Sequence, residues 1–160
     1  EGIAVARAMP NTPALVSQGM AALSPGRHCH DSQLALAEEV LAAVGKVVRV
    51  PETSLDAVTA VSGSGPAYVF YVAEAMIDAG VLLGLTRAIA TELVAQTLYG
   101  SATMLCEPGA HPTMLRENVT SPGGTTAAAL RELDDNRVKA AFLAALVSAR
   151  DRSRELALGS

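Results

Sequence analysis

Two helical segments of this chain are apolar on nearly every side. Between Ala67 and Ala79 the only charged residues are Glu74 and Asp78, and residues 140–147 contain no polar side chain at all. A helix that is hydrophobic all round must be covered on all its sides. The residues that follow position 53 are too few to bury two such helices alone, so we expect a second copy of the chain to cover them. The alternative is one fully buried helix at the centre of a monomer.

The composition favours helices packed on helices. Of the 160 residues, 50% are hydrophobic but only 3% are aromatic, whereas an all-β sandwich needs more aromatic and β-branched residues. The formal net charge is −4 and no basic stripe is present, which argues against a nucleic acid or an acidic membrane as partner. The longest strongly apolar stretch, residues 69–85, is interrupted by charges and glycines and falls short of a membrane span.

The cysteines and the N-terminal sequence predict a cytoplasmic protein. Cys29 and Cys106 lie far apart in the chain, a pattern more typical of a reducing compartment than of a disulfide scaffold. The first ten residues have no basic flank before an apolar core, so we do not expect them to be a signal peptide.

Apolar runs and turn residues divide the chain into two parts. Residues 1–53 predict the order strand, strand, helix, strand, with the helix over Gln33–Val44 capped by Asp31 or Ser32. This set is too small to close a parallel sheet and is typical of the tail of an α/β domain. In residues 54–160 helix follows helix. We therefore predict a mainly α chain, in which an all-α dimerisation domain is preceded by the tail of an incomplete Rossmann domain.

Proline, glycine and cap residues mark the helices of the second part. Pro66 in a first turn and Gly80 at an end bound one helix. Thr86 can cap a long helix that continues to Glu107, where a Pro-Gly pair ends it. Further helices are predicted over residues 54–63, 111–118, 127–133 and 136–158.

The sequence ENVTSPGGTTAAALREL has features at a helix start that core packing does not require. Gly123 and Gly124 allow unusual backbone conformations and close approach of a ligand. The helix that follows offers free N–H groups of Gly124, Thr125 and Thr126 at the positive end of its dipole, a ready anion site. The hydroxyls of Ser121 and both threonines add donors. Because no Lys or Arg lies within the loop, we predict a small carboxylate. The alternative is an ordinary helix start with Thr125 or Thr126 as N-cap.

A second glycine-rich turn, VSGSGPAY, opens another helix. Gly63 and Gly65 suggest close backbone approach, and Ser64 can cap the helix. The motif does not fit the dinucleotide-binding fingerprint. Either a structural cap or the wall of a ligand site is compatible with this pattern.

The sequence RHCHD, residues 27–31, contains four competent metal ligands in a row. Adjacent residues rarely converge on one ion, and no matching His or Cys pair occurs elsewhere. We predict an exposed turn here and no metal site in the chain. Cys106, at the end of a long apolar helix, is expected in the core.

Glu52 follows a predicted strand and precedes a helix. Strand ends of this kind are where α/β proteins bind ligands. The carboxylate could pair with a substrate cation, or it could be a solvated loop residue.

Three segments, taken together, match one protein family. RAMPNTP (Arg7–Pro13), DAVTAVSGSGPAY (Asp56–Tyr68) and ENVTSPGGTTAAALREL (Glu117–Leu133) resemble pyrroline-5-carboxylate reductases in order and spacing, and the last segment is that family's signature. The resemblance covers essentially the whole chain. It implies reduction of 1-pyrroline-5-carboxylate to proline with NADPH or NADH, the last step of proline biosynthesis. It also implies an N-terminal Rossmann domain, an all-α C-terminal domain, and homodimers that often assemble into decamers.

The same resemblance implies that this chain begins at a late strand of the cofactor domain. Residues 1–53 would be the remnant of that domain, and residues 54–160 the dimerisation and substrate-binding domain. The family's glycine-rich phosphate loop would lie upstream of Glu1, so we expect the chain alone to be inactive.

The resemblance also implies roles for residues 118–126 of the last segment, which we call the signature loop. Thr126 corresponds to the catalytic threonine whose hydroxyl meets the ring nitrogen of the substrate. Ser121, Gly124 and Thr125 correspond to the loop that holds the substrate carboxylate. The family often has alanine at the position of Thr125, so its backbone N–H is expected to matter more than its side chain.

Four further residues take roles from the resemblance. Asn118 corresponds to an asparagine between substrate and cofactor, and Glu52 to a glutamate that approaches the substrate nitrogen. Met9 and Asn11, in the segment up to Thr12, would lie near the nicotinamide end of the cofactor.

Two other functions are compatible with parts of the pattern. A non-catalytic helical dimerisation module would explain the apolar helices and leave the signature loop idle. A dehydrogenase of β-hydroxy acids would need a catalytic lysine on a central helix. The only lysines, Lys46 and Lys139, do not lie beside the glycine-rich loops, so we rank this third.

Overall fold

The computed structural model describes residues 2–159, which form two compact units. One unit comprises residues 2–68 and 143–159, and the other comprises residues 69–142. The fold is mainly α, with a small sheet near the N-terminus, as the sequence predicts. The predicted domain boundary between residues 53 and 54 stays a prediction.

The sheet of the first unit has three strands: β1 (Ala6–Met9), β2 (Gly19–Pro25) and β3 (Gly45–Arg49). β2 lies in the middle, antiparallel to β1 and parallel to β3. The parallel pair is joined through helix α1 (Asp31–Ala42), as a crossover between parallel strands requires. Residues 21–24 of β2 are all buried, so the central strand forms the core of this unit.

The start of α1 differs from the sequence prediction. His30, rather than Asp31 or Ser32, is the N-cap, and its backbone N–H donates to Gln33 Oε1 at 2.9 Å. Asp31 is the first helical residue. There its carboxylate lies in the first turn, near the positive end of the helix dipole.

The rest of the chain is helical. It contains α2 (Leu55–Val58), α3 (Gly65–Leu82), α4 (Arg87–Leu105), α5 (Pro112–Asn118), α6 (Thr125–Asp135) and α7 (Val138–Leu158). Short 3-10 helices form at Thr12–Val16 and Glu52–Ser54, and a π-helical turn forms at Thr59–Gly63. Each long helix was predicted, with ends that differ by a few residues. Thr86 caps α4 as expected, since its Oγ1 accepts from the N–H of Ile89 at 3.3 Å.

Gly80 lies inside α3 rather than at its end, where the sequence analysis placed it. A Cβ atom on Gly80 would lie 2.9 Å from the Cβ of Ala90, and Ala90 is buried. The glycine therefore serves the close packing of α3 on α4. The helix continues to Leu82 and stops before Gly84, whose φ of +98° belongs to the left-handed region.

The two nearly all-apolar helices lie open. Neither α3 nor α7 contains a buried residue. Phe70 and Tyr71 of α3 are 67% and 75% exposed, and Leu143 of α7 is 71% exposed. The alternative of a buried central helix in a monomer is therefore wrong for this fold. Within residues 2–159, every helix is too short or too polar to span a bilayer.

Candidate functional site

The signature loop connects α5 to α6 inside the second unit. Gly123 adopts φ +68°, a left-handed conformation that favours glycine. Gly124 follows in an extended conformation (φ −79°, ψ 175°) as the N-cap of α6, and no side chain caps the helix. The alternative in which Thr125 or Thr126 is the N-cap is wrong, because both threonines already belong to the first turn.

The loop leaves three backbone donors at the start of α6. The N–H of Gly124 donates to Ser121 O at 3.0 Å, so this group is not free, contrary to the sequence expectation. This hydrogen bond closes the turn that leads into α6. The N–H groups of Thr125, Thr126 and Ala127 have no acceptor among residues 2–159. The predicted set of free N–H groups at the helix start is therefore displaced by one residue along the chain, and binding of an anion there stays a prediction.

A side chain at Gly124 would displace the Ser121 hydroxyl. A Cβ atom there would collide with Ser121 Oγ and would also lie 3.2 Å from Ser121 O. The hydroxyl of Ser121 thus sits close against the start of α6. The absence of a side chain at Gly124 lets the Ser121 hydroxyl take this position.

The loop side chains are available to a ligand. Ser121 and Thr125 are exposed, and Thr126 is half-buried. Asn118, the last residue of α5, is exposed as well. In the described part of the chain, none of these four side chains has a hydrogen-bond partner. They can therefore donate to, or accept from, a bound molecule without breaking an existing bond.

Asn11 and Met9 lie in the first unit, together with the second glycine-rich turn. Asn11 Nδ2 donates to Ser62 O at 3.1 Å, and Asn11 Oδ1 accepts from the N–H of Met20 at 2.8 Å. A Cβ atom on Gly63 would lie 2.6 Å from Met9 Cε, so the tip of Met9 covers this glycine. The structure thus brings RAMPNTP and VSGSGPAY into contact.

Glu52 has a cationic partner within the same unit. Its Oε1 accepts from Arg7 Nη1 at 2.5 Å, and the two side chains are 53% and 59% exposed. The sequence analysis did not foresee this partner, because 45 positions separate the two residues. Exposed ion pairs contribute little to stability, so this one can exchange for another partner at small cost.

The two remaining candidates are the sequence RHCHD and Cys106. RHCHD includes the turn before α1, and among residues 2–159 no group of three or more His, Cys, Asp or Glu side chains could hold a metal ion. Cys106 is exposed, so its expected place in the core is wrong. The helix has ended by that position, and Cys106 is the C-cap of α4.

A short α/β segment followed by helices with uncovered apolar surfaces is the architecture of a helical dimerisation domain. Residues 52–156 match the family model described as pyrroline-5-carboxylate reductase dimerisation. The chain belongs to the pyrroline-5-carboxylate reductase family, and the resemblance stated from the sequence is confirmed.

Relatives and solved structures agree with this family. A pyrroline-5-carboxylate reductase of Corynebacterium melassecola is 49% identical over 155 residues, which are 97% of this chain and 57% of that protein. The structure of a pyrroline-5-carboxylate reductase from Coxiella burnetii matches with TM-score 0.92 and 41% identity, over 96% of this chain and 57% of that one. The NADP-bound structure from Plasmodium falciparum matches with TM-score 0.90 and 34% identity, over 98% and 62%. The chain thus spans little more than half the length of these relatives.

Proposed function

We propose that this chain supplies the substrate-binding and dimerisation half of a reductase that converts 1-pyrroline-5-carboxylate to L-proline with NADPH or NADH. The observation that carries the proposal is the start of α6, where three N–H groups without acceptors follow a glycine that makes room for the Ser121 hydroxyl. The family supports the reaction, and the NADP bound to the Plasmodium falciparum relative supports the class of cofactor.

The substrate carboxylate would bind at the N-terminus of α6. The N–H groups of Thr125, Thr126 and Ala127 and the positive end of the helix dipole favour one negative charge. The Ser121 hydroxyl adds a donor. Holding the carboxylate at one point fixes the orientation of the ring. Good orientation can lower a reaction barrier by up to roughly 7–11 kcal/mol, and we expect several kcal/mol here.

Thr126 is the proposed catalytic residue. In the reaction the imine carbon gains a hydride, and the ring nitrogen must end with a proton. A threonine hydroxyl is too weak an acid to protonate the nitrogen alone. Its half-buried hydroxyl would instead hold the nitrogen in place and relay a proton from water, or stabilise the substrate's iminium form.

NADPH or NADH supplies the hydride when bound. The free carboxamide of Asn118 and the half-buried side chain of Met9 fit a role beside the nicotinamide. Asn11 fits less well, because each end of its carboxamide already has a backbone partner. The 160 residues contain no Gly-x-Gly-x-x-Gly motif, so none of them is proposed to hold the cofactor phosphates.

Glu52 is proposed as a carboxylate that approaches the substrate nitrogen. The nitrogen carries a positive charge in the iminium form, before the hydride neutralises it. To reach it, Glu52 would exchange its contact with Arg7, an exposed pair that costs little to break.

We propose a homodimer as the working unit. The uncovered apolar surfaces of α3 and α7 are the supporting observation. Assembly into decamers is an expectation from the resemblance, and a cytoplasmic location is an expectation from the cysteines and the N-terminal sequence.

The open apolar helices also favour a second candidate, a helical dimerisation module without catalysis. That module would leave the start of α6 without a ligand. A turnover assay therefore separates the two candidates.

The test joins the part of the Corynebacterium melassecola relative that this chain does not match ahead of residues 1–160. We call this the fusion protein, and we expect it to oxidise NADPH or NADH when 1-pyrroline-5-carboxylate is added. Thr126→Ala should reduce turnover at least about tenfold, the worth of roughly 1.4 kcal/mol in the transition state. Thr126→Ser, which keeps a hydroxyl, should restore part of it. Full turnover in Thr126→Ala would remove Thr126 from the mechanism, and an inactive fusion protein would favour the non-catalytic module.

A further inference from the structure

We propose that Asn11 is a positioning residue of the reductase. It holds the π-helical turn Thr59–Gly63 against the end of β1, and it does not itself bind the cofactor. This inference rests on the proposed function. It changes the role that the resemblance implies for Asn11, from contact with the nicotinamide to control of the backbone next to Met9.

The first observation is the pair of hydrogen bonds that the Asn11 side chain makes. Its Nδ2 reaches 51 positions along the chain to Ser62 O, at 3.1 Å, and its Oδ1 accepts from the N–H of Met20 at 2.8 Å. The residue is half-buried. Through these two hydrogen bonds the carboxamide connects β2 to the π-helical turn. We call this pair of bonds the tie. A cofactor that took the same lone pair or the same N–H would break one of these bonds.

The second observation is the turn that Asn11 holds. π-helical turns are rare and occur frequently at functional sites. In this one, the N–H of Ser64 donates to Thr59 O at 2.8 Å, five residues back. The hydroxyls of Thr59 and Ser62 both donate to carbonyls one turn earlier, Leu55 O at 2.9 Å and Val58 O at 3.1 Å. Side-chain bonds of this kind tend to bend a helix. An uncommon backbone persists only where its surroundings fix it, and Asn11 supplies the long-range part.

The third observation links the turn to Met9. The tip of Met9 covers Gly63, where a Cβ atom would lie 2.6 Å from Met9 Cε. Met9 ends β1, and Asn11 follows two residues later. A shift of the turn therefore changes the surface against which the tip of Met9 rests. Because a misplacement of about 1 Å can cost on the order of a hundredfold in rate, loss of the tie should slow the reaction more than it weakens binding.

Asn11→Asp in the fusion protein tests the inference. Aspartate has the same shape and keeps an acceptor for the N–H of Met20, but it places a carboxylate oxygen against Ser62 O. Gln18→Ala is the control, since Gln18 is an exposed amide on the same segment whose side chain has no partner in the described part of the chain. The measurements are kcat, the KM for NADPH, the thermal midpoint, and hydrogen exchange of the peptide over residues 59–66.

We expect Asn11→Asp to lower kcat at least about tenfold, to leave the KM for NADPH within about twofold, and to speed exchange over residues 59–66. Gln18→Ala should match the parent in all four measurements. A raised KM for NADPH at unchanged kcat would overturn the inference in favour of direct cofactor binding. A lower thermal midpoint with normal kcat would reduce Asn11 to a structural residue and would also overturn it.

Two outcomes keep this inference distinct from the proposed function. If Asn11→Asp does not fold, Asn11→Ala decides, because it removes both hydrogen bonds of the side chain without placing a charge against Ser62 O. Reduced kcat at unchanged KM for NADPH then supports the inference, and unchanged kcat overturns it. An inactive parent fusion protein overturns the proposed function and the inference together, whereas an active parent with an active Asn11→Asp variant overturns only the inference.

Discussion

The Oγ atom of Ser121 occupies the space that a Cβ atom on Gly124 would need. The glycine therefore makes room for a side chain three positions earlier, at the point where α6 begins. The same turn uses the Gly124 N–H and leaves those of Thr125 and Thr126 without acceptors in residues 2–159. The serine hydroxyl and the free N–H groups therefore lie next to each other at the start of α6.

We expect Gly124→Ala to abolish measurable binding of proline in the fusion protein, or to weaken it at least about tenfold. The added methyl group must push Ser121 Oγ aside and reshape the loop, since Ser121 O also lies within 3.2 Å. Isothermal titration calorimetry with proline checks this.

Gly100→Ala is the matched control for that titration. Gly100 lies in α4, and a Cβ atom there meets nothing within 4 Å. Alanine inside a helix is favoured over glycine by roughly 0.5–1 kcal/mol, so this variant should bind proline normally and be no less stable. Unchanged binding in Gly124→Ala would contradict the carboxylate site.

The secondary structure could be predicted from the sequence because local signals determine it. The three strands are short apolar runs ended by turn residues, and the cap at Thr86 follows from a side chain and a backbone N–H three positions apart. Gly80 was misjudged as a helix end. Its purpose is contact with Ala90, and packing between helices leaves no local pattern.

The candidate site was predictable only where its parts are adjacent in sequence. The glycines and threonines of the signature loop predicted a helix start, because they lie next to one another in the sequence. The tie from Asn11 to Ser62 and the ion pair between Arg7 and Glu52 join residues 51 and 45 positions apart. No spacing rule reveals such pairs, since only the folded chain brings them together.

Gly80→Val should destabilise the second unit. Its side chain would meet Ala90, which is 1% exposed and has no room to retreat. Overpacking of this kind typically costs about 1–3 kcal/mol, and the higher helix propensity of valine relative to glycine offsets only a small part of it. Urea unfolding of the 160-residue chain at fixed protein concentration measures the change.

Gly100→Val controls for the β-branched side chain itself, because nothing lies within 4 Å of its added Cβ. We expect its urea midpoint to stay close to that of the parent. Equal midpoints for Gly80→Val and Gly100→Val would show that α3 and α4 do not pack closely at this glycine.

Ser153→Ala should destabilise the contact between α7 and α2, because it removes a hydrogen bond that joins them. Ser153 Oγ donates to Asp56 Oδ1 at 2.7 Å, and Arg154 Nε lies 3.7 Å from Asp56 Oδ2. Hydrogen bonds to charged groups contribute about 1.5–3 kcal/mol, so the free energy of unfolding should fall by roughly that amount or somewhat less at this half-buried position. Thr103→Ala is the control, since its hydroxyl bonds only Tyr99 O of its own helix. Equal losses in the free energy of unfolding for both variants would show that the hydrogen bond to Asp56 contributes no more than a bond within one helix.

Phe70→Glu should separate the proposed dimer. Phe70 is 67% exposed on a helix without a buried residue, and a charge placed in an apolar interface has a large desolvation cost. The parent chain should sediment as a dimer or a larger assembly, and the variant as a smaller species. Leu15→Glu provides the comparison, because Leu15 is 89% exposed but lies outside the residues that match the dimerisation family. It should sediment like the parent. A parent that sediments as a folded monomer would contradict the claim that a second copy covers α3, because its exposed apolar side chains would then need no partner.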